Sequence, residues 1–349
     1  MRAAIFDEHG GPDVLEVRDV DAPEPGSGEV RLRVEASGMN HLDLWVRRGL
    51  PIETTMPHIG GSDVCGVIDA LGAGIGATKP DGSEWAEGDR VVINPSLWCG
   101  ECEWCRKGEE SLCAEYRIIG EHTQGGFAEY VTVPARNLFA IPDDLDAATA
   151  AAAPLVFLTA WRGLVTRGRL GEGDTVLITG ASGGVGTAAV QIAKHLGASV
   201  FAVTSSPWVD RVKGLGADVV YDRTDPDVDY GKAVWTATGK RGVDVVFDSV
   251  GQATFRQNLR ALAKAGRLVV YGATTGPEGE MDIRLVFWRQ LEVLGTTMSN
   301  QQEFRAVMEK VVSGELEPVV DRVFDLDDAA DAHRRLENGD AFGSIVIRP

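Results

Sequence analysis

The sequence predicts an α/β protein in which a doubly wound parallel sheet is inserted into a mostly β domain. Three observations predict it: short β-like runs before residue 145, strand–helix–strand alternation from Asp174 onward, and a return of short strands after about residue 290. At 349 residues the chain is long enough for two separate cores. The mostly β domain is expected to comprise 1–147 and 291–349, with 148–290 forming the inserted one.

Ala3 to Phe6 opens the chain as a strand. Val30, Leu32 and Val34 alternate with Arg31, Arg33 and Glu35, the period of a half-buried strand. Arg90 to Ile93 and Tyr130 to Val133 follow in the same style, while Pro23, Pro25, Gly26 and Gly28 punctuate the gaps. Val176 to Ile178 is a buried-strand run, and Val185 to Leu196 reads as a helix. Val200 to Val203, Asp218 to Tyr221, Val243 to Phe247 and Leu268 to Tyr271 are the next strands, spaced by helical stretches as parallel pairing requires. A helix around Glu303 to Val312 interrupts the final β segment.

The charge balance excludes some partners. There are 52 acidic residues against 34 basic ones, eight of them lysine, for a net charge of −18. Such a surface repels phosphodiester backbones and anionic lipid, so nucleic acid and membrane are not expected. Acid excess with little lysine fits both a chain that works in concentrated salt and one from a GC-rich genome. Met1 leads directly into a strand, without the basic region and apolar run of an export signal. The longest apolar stretch, Ala147 to Trp161, is too short to cross a bilayer and is broken by Pro154. A cytoplasmic homodimer or homotetramer acting on a small molecule is expected.

Cys99, Cys102, Cys105 and Cys113 fall in a lobe at 95–115 with the spacing C-x2-C-x2-C-x7-C. Four thiolates so close in sequence suit the tetrahedral shell of a structural zinc, with no position left for water. Glu101, Glu103, Glu109 and Glu110 leave the segment no apolar face, so the metal would order it. Two disulfides are the alternative. With Cys65 the only other cysteine and no export signal, zinc is favoured.

The turn Gly180-Ala181-Ser182-Gly183-Gly184-Val185-Gly186 lies between a strand and a helix, and a second strand ends near Thr204. Glycines there let backbone N–H groups approach a dinucleotide pyrophosphate at the helix N-terminus. The end of the second strand decides which dinucleotide. It reads Val203-Thr204-Ser205-Ser206-Pro207, without the carboxylate that binds the ribose 2′-OH in NAD sites. The hydroxyls suit a 2′-phosphate, and Arg223 or Arg211 would supply the cation, so NADPH is expected ahead of NADH.

With these two anchors the chain resembles the medium-chain dehydrogenase/reductase superfamily over essentially its whole length. The resemblance rests on the cysteine lobe, on Gly126-Phe127-Ala128-Glu129-Tyr130, on Ala181-x-Gly183-Gly184-x-Gly186 and on Gly242-x-Asp244-x-Val246-x-Asp248. It implies a Rossmann domain inserted in a GroES-like catalytic domain. The zinc alcohol dehydrogenases of that superfamily also hold a catalytic zinc between a Cys, a His and a second Cys. Those positions carry Asn40, Ser62 and Leu155 here, with Asp63 in place of the family's glutamate and Leu42 in place of its proton-relay hydroxyl. An amide, a hydroxyl and an alkyl group do not hold Zn2+. His41, His58, Asp63, Cys65 and His122 show no chelating spacing that would replace them. The pattern resembles the quinone-oxidoreductase branch, with the structural zinc kept.

Without a Lewis acid, hydride transfer to a simple ketone lacks its alkoxide stabiliser. A quinone or α,β-unsaturated carbonyl delocalises the incoming charge, and hydrogen-bond donors suffice. The resemblance implies Asn40 as the donor to the substrate oxygen, with Ser62 beside it, His41 on the pyrophosphate and Thr159 at the nicotinamide ribose or ring. The backbone of Gly272-Ala273-Thr274 and Gly295-Thr296-Thr297 is expected to fix the carboxamide. A zinc alcohol dehydrogenase, an acryloyl-CoA-type reductase using Arg47, Arg48 or Arg162 for the CoA phosphates, and a non-catalytic NADPH-binding protein are the other readings.

Overall fold

The structure, a computed structural model, describes every residue except Glu53, Ala77 and Pro80. It divides into two compact units. Unit 1 comprises Met1–Val156, Ser299–Gly314 and Pro318–Pro349, and unit 2 comprises Phe157–Met298 with Glu315–Glu317.

Unit 1 begins with β1 (Arg2–Phe6), β2 (Glu16–Asp19), β3 (Glu29–Met39), α1 (His41–Arg48), β4 (His58–Ile59) and β5 (Asp63–Leu71). Then come β6 (Arg90–Ile93), β7 (Ser96–Leu97), β8 (Arg117–Ile118), β9 (Tyr130–Pro134), β10 (Leu138–Ala140) and α2 (Ala147–Ala151), and α3 (Pro154–Trp161) begins in unit 1 and passes into unit 2 after Val156. The long β3 is its spine. Val30, Leu32 and Val34 are buried, as their alternation requires, in a core shared with Val64, Ile68, Val91 and Val133. Its first half pairs with β9, its end with a strand from the far C-terminal segment, and its other edge with β5, all antiparallel.

Unit 2 carries β11 (Thr175–Thr179), α4 (Gly184–His195), β12 (Ser199–Thr204), α5 (Val209–Gly214), β13 (Val219–Asp222), α6 (Tyr230–Ala237) and β14 (Val243–Asp248). It continues through α7 (Phe255–Ala261), β15 (Leu262–Val270), α8 (Ile283–Arg289) and β16 (Glu292–Gly295). The six strands pair in the order β13-β12-β11-β14-β15-β16, every pair parallel. This is the doubly wound sheet expected from strand–helix alternation, and its buried strands are the continuous Val/Leu/Ile runs that such a sheet needs. The order reverses between β11 and β14, which makes the carboxyl end of β11 the switch point for ligand binding.

The chain then returns to unit 1 with α9 (Gln301–Val312), β17 (Val320–Asp325), α10 (Ala329–Glu337) and β18 (Ser344–Arg348). The fold class expected from sequence is observed. Its boundaries move: 147/148 shifts to 156/157, and 290/291 shifts to 298/299. The second shift has one cause. Glu292–Gly295, a short strand resembling the β domain's own, pairs in parallel with β15 as the sheet's sixth strand.

Candidate functional site

In unit 1 two of the three positions that would hold a catalytic zinc, Asn40 and Leu155, meet on the carboxylate of Asp63, next in sequence to the third, Ser62. Asn40 caps the start of α1, Asp63 opens β5, and Leu155 lies in the first turn of α3. The Asn40 amide nitrogen donates to Asp63 Oδ2 at 2.9 Å, and the Leu155 backbone N–H donates to Asp63 Oδ1 at 2.9 Å. Both oxygens of Asp63 are therefore engaged by N–H donors. The Ser62 side chain beside it is fully buried, and its hydroxyl has no partner among the described residues. Asp63 is 1% exposed, and burial pushes its carboxyl up to about 7 against the pull of these hydrogen bonds.

Two further carboxylates, not singled out from sequence, lie close by. Asp43 accepts the Asn40 backbone N–H at 2.7 Å and the Gly61 N–H at 2.9 Å, which ties the start of α1 to the loop before Ser62. Burial raises it to about 6. Glu121 is raised to about 7, by burial first and then by the charge of Asp43. The signal for Asp43 was readable, since Asn40-x-x-Asp43 is a helix-start pattern. Glu121 had none.

The cysteine lobe is also in unit 1. All four Sγ atoms of Cys99, Cys102, Cys105 and Cys113 lie within 4.8 Å of one another. Cys99 is 3.5 Å from Cys113 and 3.9 Å from Cys105, and Cys102 is 3.5 Å from Cys105. A tetrahedron of sulfurs about 2.3 Å from a central ion has edges of about 3.8 Å, so the four thiols fit that geometry rather than two disulfides. Backbone N–H groups of Cys105 and Ala114 pull the Cys102 thiol down to about 6. Among the described residues this is the one group of His, Cys, Asp or Glu side chains arranged to hold a metal.

The dinucleotide turn is in unit 2. A Cβ on Gly186 would sit 2.2 Å from the Gly180 carbonyl oxygen, so close helix–strand packing demands glycine there. A Cβ on Gly183 would meet only that oxygen, at 3.6 Å. Nothing inside the protein requires glycine at 183, and the open space beside the α4 N-terminus is the room a pyrophosphate takes. Ala181, Ser182, Gly184 and Val185 complete the turn as expected, and the Ala181 N–H is fixed by the Val203 carbonyl at 3.1 Å.

At the carboxyl end of β12 stands a carboxylate that reading along the strand did not indicate. No acid follows Thr204 in sequence, and Asp222 is paired with Thr204 across β12 and β13. Its carboxylate accepts the Ser206 hydroxyl, the Thr224 N–H at 2.8 Å and the Thr224 hydroxyl at 2.6 Å. Those bonds, the Ser206 hydroxyl foremost, hold it below the usual carboxylate range. Ser206 is therefore already committed as a donor, whereas the Thr204 hydroxyl is buried without a partner. Ser205 starts the turn into Ser206. Arg223 is exposed, with its backbone N–H on the Thr204 carbonyl at 2.8 Å. Arg211 lies over the Trp208 ring at 5.7 Å, so its guanidinium already has a face to stack on.

The remaining expected residues are placed individually. His41 is exposed at the first position of α1. Thr159 is buried, its hydroxyl 4.0 Å from the Met298 sulfur. Gly272, Ala273 and Thr274 follow β15, where Thr274 donates to the Ser249 carbonyl; Gly295 ends β16 and Thr296 follows it. Two of the three arginines set aside for CoA phosphates are not available. Arg47 is fully buried and ion-paired with Glu337, and Arg162 is 4% exposed; only Arg48 is exposed, itself on Glu337.

Two family descriptions match the chain: an alcohol dehydrogenase GroES-like domain over 26–143 and a zinc-binding dehydrogenase over 184–313. An NAD-dependent alcohol dehydrogenase of Sulfolobus acidocaldarius is 31% identical, with 100% of this chain and 99% of that protein covered. An acryloyl-coenzyme A reductase of Metallosphaera sedula is 30% identical, covering 99% of each. A crotonyl-CoA carboxylase/reductase of Cereibacter sphaeroides is 32% identical over 95% of this chain and 82% of its own. Among solved structures, one of an NAD-dependent alcohol dehydrogenase superposes with a TM-score of 0.94 at 44% identity, each chain fully covered. Folded as a GroES-like unit around a Rossmann sheet and alike from end to end to such enzymes, the chain belongs to the zinc-type alcohol dehydrogenase-like medium-chain dehydrogenase/reductases and is an NAD(P)H-dependent oxidoreductase.

Proposed function

We propose that this protein transfers hydride from NADPH to a conjugated acceptor, a quinone or an α,β-unsaturated carbonyl, without a catalytic metal, and carries one structural zinc on its cysteine lobe. One observation carries this reading: an amide, a hydroxyl and an alkyl side chain stand at the three zinc-ligand positions, and both oxygens of the neighbouring Asp63 carboxylate accept N–H donors. Such a set polarises an oxygen by hydrogen bonding and cannot ligate Zn2+. A bound nicotinamide supplies the hydride. In a conjugated substrate the electron pair displaced from the carbon–carbon double bond moves to the carbonyl oxygen, where the Asn40 amide meets the negative charge. The unpartnered Ser62 hydroxyl offers a second donor. Relatives named as acryloyl- and crotonyl-CoA reductases support a conjugated thioester, whereas burial of Arg47 and Arg162 favours a smaller acceptor than a CoA ester.

Rates with a quinone, an enone, an enoyl-CoA, a saturated ketone and an alcohol, with and without chelator, test it. The conjugated acceptors should be reduced, the saturated ketone should not, and short chelator treatment should leave turnover unchanged. Chelator-sensitive oxidation of ethanol or benzyl alcohol would overturn the reading.

The preference for NADPH rests on Arg223, an exposed residue whose backbone N–H bonds the Thr204 carbonyl at the carboxyl end of β12. Asp222 opposes it. Arg223→Ala should shift the NADPH-over-NADH ratio toward NADH by about 1.5–3 kcal/mol, the worth of a hydrogen bond to a charged group. Asp222→Asn should shift it the other way. Native protein that uses NADH as well as NADPH would sink the preference.

A further inference from the structure

We propose that Asp63 is a positioning residue: it locks the Asn40 amide in the one orientation that presents an N–H to the substrate oxygen. This rests on the donor role given to Asn40 above. An ionised carboxylate is acceptor-only, so the atom of Asn40 that faces Asp63 Oδ2 at 2.9 Å must be the nitrogen. Flipping the amide would set two oxygens against each other in a buried site. The nitrogen carries a second hydrogen, in the amide plane and about 120° from the first. That N–H has no partner among the described residues. Asp63 is itself fixed at both ends, by the Leu155 N–H on Oδ1 and by the Ser37 hydroxyl, which donates to the Asp63 carbonyl at 2.8 Å. All three residues are buried: Ser37 is 0% exposed, Asp63 1% and Asn40 7%. The donor is thus aimed before substrate arrives, which is how such a group contributes most to the rate.

The arrangement has a protonation limit. A protonated Asp63 can donate its O–H to the Asn40 oxygen, and the amide then turns over. Burial first, opposed by the hydrogen bonds from Asn40 and Leu155 and aided by the charge on Asp43, raises the carboxyl to about 7. Among the described residues, the charged group that acts on Asp63 is Asp43, at the start of α1, rather than one on β3, β6 or α2, the elements packed on its strand. Enone reduction should therefore fall on the acid side of about pH 7.

The decisive variant is Asp63→Asn, nearly isosteric and free of a buried charge. An asparagine at 63 that accepts the Leu155 N–H presents its own NH2 to Asn40, so the Asn40 amide turns its oxygen, not its nitrogen, toward it. We expect kcat on an enone to drop about 10²-fold, the cost of a misplaced catalytic group, with KM for NADPH unchanged. The acid limb of the pH profile should vanish, while thermal stability is kept or raised. A merely structural Asp63 would instead lower stability and leave the acid limb in place, and that result overturns the proposal. Asn40→Leu in the same assay separates the two readings. If Asn40→Leu leaves kcat unchanged, the donor role itself fails. If Asn40→Leu lowers kcat and Asp63→Asn does not, positioning alone fails.

Discussion

Replacing Asn40 by leucine is expected to cut kcat on an enone about 10²–10³-fold, the usual cost of deleting one donor to a developing oxyanion. The loss should fall on kcat more than on KM, because a neutral carbonyl gains little from the amide and an enolate oxygen gains much. Stability should change less than the removal of a buried hydrogen bond suggests. The Asp63 oxygen left behind is raised to about 7 already, and the group escapes the unpaired charge by taking up a proton. Steady-state kinetics with thermal unfolding check both halves. A kcat within about threefold of the native value would remove Asn40 from the chemistry.

Replacing Cys102 by serine should strip the lobe of zinc, taking metal content from about one ion per subunit to near none. Structural zinc contributes folding energy directly, and three remaining thiolates with several glutamates nearby have no apolar core to replace it. Losing even about 4 kcal/mol corresponds to roughly 8–16 °C in Tm for a domain of this size. NADPH affinity in the surviving protein should hold, since the lobe belongs to unit 1 and the glycine turn to unit 2. Full zinc occupancy in the variant would show that the four sulfurs do not act together.

What was legible in the sequence was what periodicity and spacing encode. The alternation in β3, the apolar runs of β11 and β14 and the cysteine spacing each express a local rule, and each is found where expected. Residues brought together by pairing between strands were not legible. Asp222 meets Ser206 only because β13 lies against β12 in register, so reading along β12 missed the carboxylate. The edge strand β16 carried no mark of which sheet it would join. Arg47 was a candidate cation for CoA phosphates in the sequence, and only the packing of α1 on α10 shows it buried against Glu337. The convergence of Asn40, Asp63 and Leu155 was implied by family likeness, but the hydrogen bonds to Asp63 were not.

The partner of the strand leading to Asn40 has a consequence for how the protein is made. Met39 and Gly38 at the end of β3 pair with Ile345 and Val346 of β18, and β18 also carries β17 on its other edge. The strand that completes this sheet thus leaves the ribosome about 300 residues after β3 does. At ordinary elongation rates that is a wait of roughly 15–60 s, during which the β3 edge stands open. The inserted unit, whose strands pair only among themselves, can fold in that interval. The site proposed to hold the hydride acceptor therefore matures last, and a nascent chain stalled short of Ser344 is expected to bind nucleotide while still unable to turn over substrate.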